Sequence, residues 1–161
     1  MIPRVMERMI EYFGHDTRRI NHALKVFAFA RIISSCEPTA AGVEETILYT
    51  ALLHDIGIIE AERKFKSSSG KYQQIEGPPI ARQILGDLGI PVPVIDRVCF
   101  ITGNHHTYSK IDGIDFQILV EADFLVNIFE DEMGKDATES IYHRIFKTES
   151  GKSLIRTMYL D

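Results

Sequence analysis

Alternation of apolar and polar residues at period two is almost absent from the 161 residues, which argues against a β-rich domain. No apolar stretch approaches the roughly 20 residues of a membrane span, and Arg4, Glu7 and Arg8 sit where a signal peptide would need its apolar region. The sequence therefore reads as cytoplasmic, with no membrane partner. Basic runs are also missing: the lysines and arginines are scattered and the formal charge is −5, which argues against a nucleic-acid polymer held by phosphate contacts. Cysteine occurs only twice, as Cys36 and Cys99, each alone in an apolar helical stretch. That excludes a CxxC knuckle and gives no disulfide framework, and both are expected as buried thiols.

What the sequence does have is apolar residues at three- and four-residue spacing almost throughout. With 45% apolar and 25% charged residues, this predicts one all-α domain over residues 1–161. Helices are expected over Ile2–Phe13, over Thr17–Ser35 with Asp16 as its cap, and from about Thr39 through the last turn at His54–Asp55, ended by Gly57. Residues Glu62–Gln74 read as a surface loop, and Gly77–Pro78–Pro79 as the opening of a helix Ile80–Leu88. A helix introduced by Pro91 and Pro93 leads to His105–His106, and a strongly apolar one runs over Phe116–Phe129. Two amphipathic helices, Ala137–Lys147 and Lys152–Leu160, pack on the rest.

Polar residues on apolar helical faces are costly unless they are paired or bound, so their positions are informative. His22 lies beside Leu24 and Val26, His54 and Asp55 follow Ala51-Leu52-Leu53, His105 and His106 close a core-like helix, and Asp123 sits between Val120 and Leu125. Four imidazoles and two carboxylates suit a first-row transition ion such as Fe, Mn, Co, Ni or Zn. They are too far apart in sequence for a local finger, so any metal site is built between facing helices. His15 and His143 have no such context and read as surface or structural residues.

The order His22, ALLHDIG at residues 51–57, then Asp123 within EADFLVN resembles the HD-domain superfamily of metal-dependent phosphohydrolases, over about residues 20–127. The resemblance implies a compact multi-helix HD-domain bundle in which His22, His54, Asp55 and Asp123 hold one metal ion. Members with a second ion use extra histidines between the doublet and the last Asp; His105 and His106 stand there, and Glu76 aligns with the first such position. One or two divalent ions are thus implied, and Asp55 is expected to bridge them or to orient the nucleophile. The sequence departs from the pattern at Glu76, which stands where a His is usual, and at Ile58, which follows HDIG where many members have Lys.

Candidate phosphate-binding cations are Arg18 and Arg19, one helical turn before His22, and Lys64, Lys66 and Lys71 between the doublet and Glu76. The expected function is hydrolysis of a phosphomonoester or phosphodiester in a small, nucleotide-like metabolite. The alternatives are a di-iron oxygenase of HD fold and a non-catalytic metal or ligand sensor. The apo charge does not oppose an anionic substrate, because bound divalent ions would offset Asp55, Glu76 and Asp123. A homo-oligomer is left open.

Overall fold

The computed structural model describes every residue from Met1 to Asp161. It contains nine α-helices and no strand: α1 (Ile2–Phe13), α2 (Thr17–Cys36), α3 (Val43–Leu53), α4 (Ile58–Phe65), α5 (Gly70–Asp87), α6 (Val92–Thr102), α7 (Ile114–Glu130), α8 (Lys135–Ile145) and α9 (Glu149–Ile155). No helix is long and apolar enough to cross a membrane.

The central element is α3. Its residues from Thr46 to Leu53 are all buried, as expected of a helix that is apolar on every side. Ile47 and Ala51 join a core formed with Val26, Ala30 and Ile33 of α2 and with the apolar face of α7. Tyr49, Leu52 and Leu53 enter a second core, with Val5, Met9 and Phe13 of α1, Ala81 and Leu85 of α5, and Val98 of α6. The chain leaves α3 at His54–Asp55, where the two cores meet, so the doublet is fixed by packing on both sides.

Several local expectations hold for identifiable reasons. Pro3 lies in the first turn of α1, and the Asp16 carboxylate accepts a hydrogen bond from the Arg19 N–H at the start of α2. Others are corrected. The third helix begins at Val43 and not near Thr39, because Gly42 enters it in the left-handed conformation, φ 86°. The segment Glu62–Gln74 is not one loop: α4 extends through Phe65 and α5 starts at Gly70, leaving residues 66–69 between them.

The two prolines expected to open a helix instead lie inside α5. Proline lacks the N–H that would reach back one turn, so the Gln74 and Ile75 carbonyls lose their helical partners. Here α5 packs closely on α6: the Cys99 thiol donates to the Pro78 carbonyl at 3.3 Å, and Gly103 packs beside Pro78 and the Gln74 carbonyl. Cys99 is buried as expected, whereas Cys36, the last residue of α2, is exposed.

At the other end of the molecule Glu121 is fully buried in α7 and ties the C-terminal helices to it. Its carboxylate accepts from the backbone N–H groups of Lys147 (2.6 Å) and Thr148 (3.0 Å), the Thr148 hydroxyl and the Gln117 amide (2.7 Å). Burial pushes its pKa up, and these four donors hold it down in part. The network fixes α7 two residues before Asp123.

Candidate metal centre

Two helix ends and two helix faces converge beneath a cavity of about 610 Å³. His22 comes from α2, His54 and Asp55 from the turn after α3, His105 and His106 from the turn after α6, and Asp123 from the middle of α7. Ligand-capable atoms of His22, His54 and Asp123 all lie within 4.8 Å of one another, as do those of Asp55, His105 and His106. Asp55 faces both groups. Its Oδ2 is 3.7 Å from His22 Nε2 and 3.6 Å from His54 Nε2, while its Oδ1 is 3.2 Å from His105 Nε2.

The outer nitrogens of three imidazoles are already committed. His54 Nδ1 lies 2.9 Å from the Ala51 carbonyl, His105 Nδ1 lies 2.8 Å from the Thr102 carbonyl, and His22 Nδ1 lies 3.0 Å from a Glu130 carboxylate oxygen. Carbonyl and carboxylate oxygens only accept, so each Nδ1 carries the hydrogen. In the neutral rings each Nε2 is then a lone pair, and these lone pairs face other acceptors. His22 Nε2 is 3.2 Å from His54 Nε2 and 3.2 Å from Asp123 Oδ1, and His105 Nε2 faces Asp55.

Acceptors pointing at acceptors in a buried site are satisfied by added protons or by a cation. The electrostatics take the first course when only protein is considered. Burial would lower the His54 pKa, but the Asp55 and Asp123 carboxylates raise it to about 9. His22 follows the same pattern: burial opposes the shift, and Asp123 carries it upward. Asp55 and Asp123, despite burial, are held well below the usual carboxylate range by the surrounding histidines.

A divalent transition ion satisfies the same lone pairs without protons, and the donor set of imidazoles and carboxylates fits one. The outer contacts to Ala51, Thr102 and Glu130 are the kind that fix the tautomer and aim of metal-ligating histidines. Asp123 is itself held by the Asn127 side-chain N–H, 2.9 Å away. His106 differs from the other three. Burial, and then its neighbour His105, lowers its pKa to about 4, and its Nε2 is buried without a partner.

Neither a protein-family model nor a curated protein matches the chain. Among solved structures, the crystal structure of a predicted HD superfamily hydrolase from an uncultured Thermotogales bacterium is similar over 96% of this chain and 83% of that one. The TM-score is 0.69 and the sequence identity 21%. The chain has the HD fold.

Within this HD fold the residues expected to act divide into two sets. His22, His54, Asp55, His105, His106 and Asp123 are brought together. Glu76 is not: its carboxylate pairs with Lys64 Nζ at 2.6 Å, and its charge acts on Tyr12 and Arg63, on the far side of α5. The side chain of α5 that lines the cavity is Gln73, one turn earlier, buried, with Oε1 unpartnered. Glu76→Ala is therefore expected to leave the metal content of purified protein unchanged by elemental analysis. A loss of metal equal to that of a His54→Ala control would return Glu76 to the ligand set.

The cations also separate. Arg18 lines the cavity, exposed and in no ion pair. Arg19 lines it too, but its guanidinium is held by Asp16 at 2.7 Å and Glu62 at 2.6 Å. Lys64 is spent on Glu76, Lys66 reaches the Arg63 carbonyl, and Lys71 lies over the Tyr72 ring, so none of these three lines the cavity. His15 and His143 are exposed and outside the cluster.

Sequence reasoning did not find Gln73, Asn127 and Glu130. Asn127 and Glu130 follow Asp123 by four and seven residues on α7, the spacing of one helical face, and that periodicity could have pointed to them.

Proposed function

We propose that this chain is a metal-dependent phosphohydrolase that cleaves a phosphate ester of a small metabolite. Its ligands are His22, His54, Asp55 and Asp123, with His105 and His106 beside Asp55 for a second ion. The observation that carries this reading is the position of Asp55, whose two oxygens face two separate groups of imidazoles. Divalent ions in such a set supply Lewis acidity toward phosphoryl oxygens and acidify water near neutral pH.

The protein's own contribution is to hold the site in place. Three histidines are fixed in one tautomer by two backbone carbonyls and the Glu130 carboxylate, and Asp123 is steadied by Asn127. Arg18 stands at the mouth with its charge free to meet a phosphate oxygen. Gln73 and Ser68 also line the cavity. The HD fold of the Thermotogales protein supports the reading at the level of architecture.

The test is direct. Protein purified without chelator is assayed for metal and against a panel of chromogenic and natural phosphate esters, with Mn²⁺ added. Hydrolysis that disappears on chelation and returns with metal is the expected result. Stoichiometric metal without turnover of any ester would overturn it in favour of a sensor. Turnover that needs iron and O₂ would overturn it in favour of an oxygenase.

A further inference from the structure

The cavity over the metal ligands is unlike most small-molecule sites, which are predominantly apolar with a few polar groups. Of its 13 lining residues only Ile58 is hydrophobic, none is Phe, Tyr or Trp, and the only rings are the imidazoles of His22 and His106, which belong to the candidate ligand set. A nucleobase bound there would find no ring outside that ligand set to stack on, and stacking is the usual means of holding a base of any identity. Charge gives a second restriction. Of the two lining arginines, Arg19 is held by two carboxylates, so Arg18 alone is free for an anion. Asp131, exposed at the end of α7 and in no ion pair, faces the same space. One phosphate is matched by this arrangement, whereas the further phosphates of a di- or triphosphate would add negative charge beside Asp131.

The third observation concerns free lone pairs. Gln73 donates its side-chain N–H to the Ser68 carbonyl at 2.7 Å, which fixes the amide orientation and leaves its buried Oε1 without a partner. Asn127 donates its N–H to Asp123, so its Oδ1 is likewise the end left for other contacts. With the Asp131 carboxylate, three acceptors line one cavity and lack donors. Asn127 and Asp131 can be met by water, but the Gln73 Oε1 is buried, and a buried acceptor left without a donor is costly, so a ligand that brings hydrogen-bond donors is favoured over one that brings acceptors.

Building on the phosphohydrolase reading, we propose that the substrate is the monophosphate of a compact alcohol rich in hydrogen-bond donors, a polyol or an amino alcohol, and not a nucleotide. In the reaction water adds to phosphorus and the P–O bond to the alcohol breaks. The alcohol leaves with a proton, inorganic phosphate is released, and no oxidant or reductant is consumed. The phosphate is met by Arg18, and the hydroxyl or ammonium groups by Gln73, Asn127 and Asp131.

The test uses the metal-loaded enzyme with six probes: p-nitrophenyl phosphate, glycerol phosphate, phosphoethanolamine, and the adenosine mono-, di- and triphosphates. The better of glycerol phosphate and phosphoethanolamine is expected to exceed the nucleoside monophosphate in kcat/KM by about tenfold or more, and the di- and triphosphates by more still. Which of the two is better separates hydroxyl from ammonium recognition. Gln73→Leu should cost the preferred ester at least about tenfold more than it costs p-nitrophenyl phosphate, chiefly through KM. A preference for any adenosine phosphate, or an equal loss on both esters in Gln73→Leu, would overturn the proposal while leaving the hydrolase reading in place. No turnover of any probe, p-nitrophenyl phosphate included, would overturn the hydrolase reading itself.

Discussion

Asp55→Ala is expected to reduce phosphate-ester hydrolysis on the order of 10³-fold or more, and to lower bound metal, because no other carboxylate in the cavity faces both groups of imidazoles. Asp55→Asn keeps the size of the side chain and removes its charge, so it should fail in activity nearly as badly while remaining folded. The same pair of proteins, stripped of metal, carries a pH signature. In the metal-free wild type the His54 pKa is raised from 6.5 to about 9 against burial, with Asp55 the largest upward influence. The folded state therefore binds more protons than the unfolded state between those values, and stability from His54 is full below 6.5 and lost as pH rises through about 9. Without the Asp55 charge that loss should move down toward neutrality. Urea midpoints of both metal-free proteins between about pH 6 and pH 10 would show it. Identical pH profiles, or full activity in the Asn variant, would remove Asp55 from the role assigned to it.

Much of this site is readable in the sequence because its residues break the helical pattern. His54 and Asp55 end the most apolar helix, and Asp123 lies between Val120 and Leu125, where a carboxylate needs a reason to be. The side chains that surround them break no pattern. Asn127 and Glu130 are half-buried polar residues of a kind common on helices, and only their four- and seven-residue spacing from Asp123 marks the face that the fold turns toward the cavity. Glu76 illustrates the opposite failure. The resemblance places Glu76 at a ligand position, and with Pro78–Pro79 read as a helix start the helical phase of residues 70–77, which turns Glu76 away from the cavity, has no anchor in the sequence. Once α5 is continuous from Gly70, Gln73 points to the cavity and Glu76 to Lys64. Lys64 lies in the segment read as a loop, where nothing in the sequence marks its pairing with Glu76.

That continuity of α5 depends on a close helix approach, and Gly57→Ala is expected to disrupt it more than any other small change near the site. The Gly57 backbone has an ordinary negative φ of −77°, so alanine is acceptable there conformationally. The obstacle is space. A methyl group on Gly57 would overlap the Gly77 amide nitrogen and come within 2.6 Å of the Gln73 carbonyl oxygen and 2.8 Å of Gly77 Cα. All three are backbone atoms, which have no rotamer to change, so α5 itself must move away from the His54–Asp55 turn. Overpacking of this kind costs roughly 1–3 kcal/mol, and three backbone contacts place Gly57 toward the upper end. For a chain of this length about 3 kcal/mol corresponds to a fall in Tm of roughly 6–12 °C. Gly86 supplies the control within α5: no atom lies within 4 Å of a methyl group added there, and Gly86→Ala should raise stability by about 0.5–1 kcal/mol through helix propensity. Because Gln73 rides on the displaced helix, Gly57→Ala should also raise KM in the surviving folded fraction, which Gly86→Ala should not. Thermal melts of the two variants with opposite signs are the expected outcome; equal melts would mean that α5 does not rest on the turn that carries the doublet.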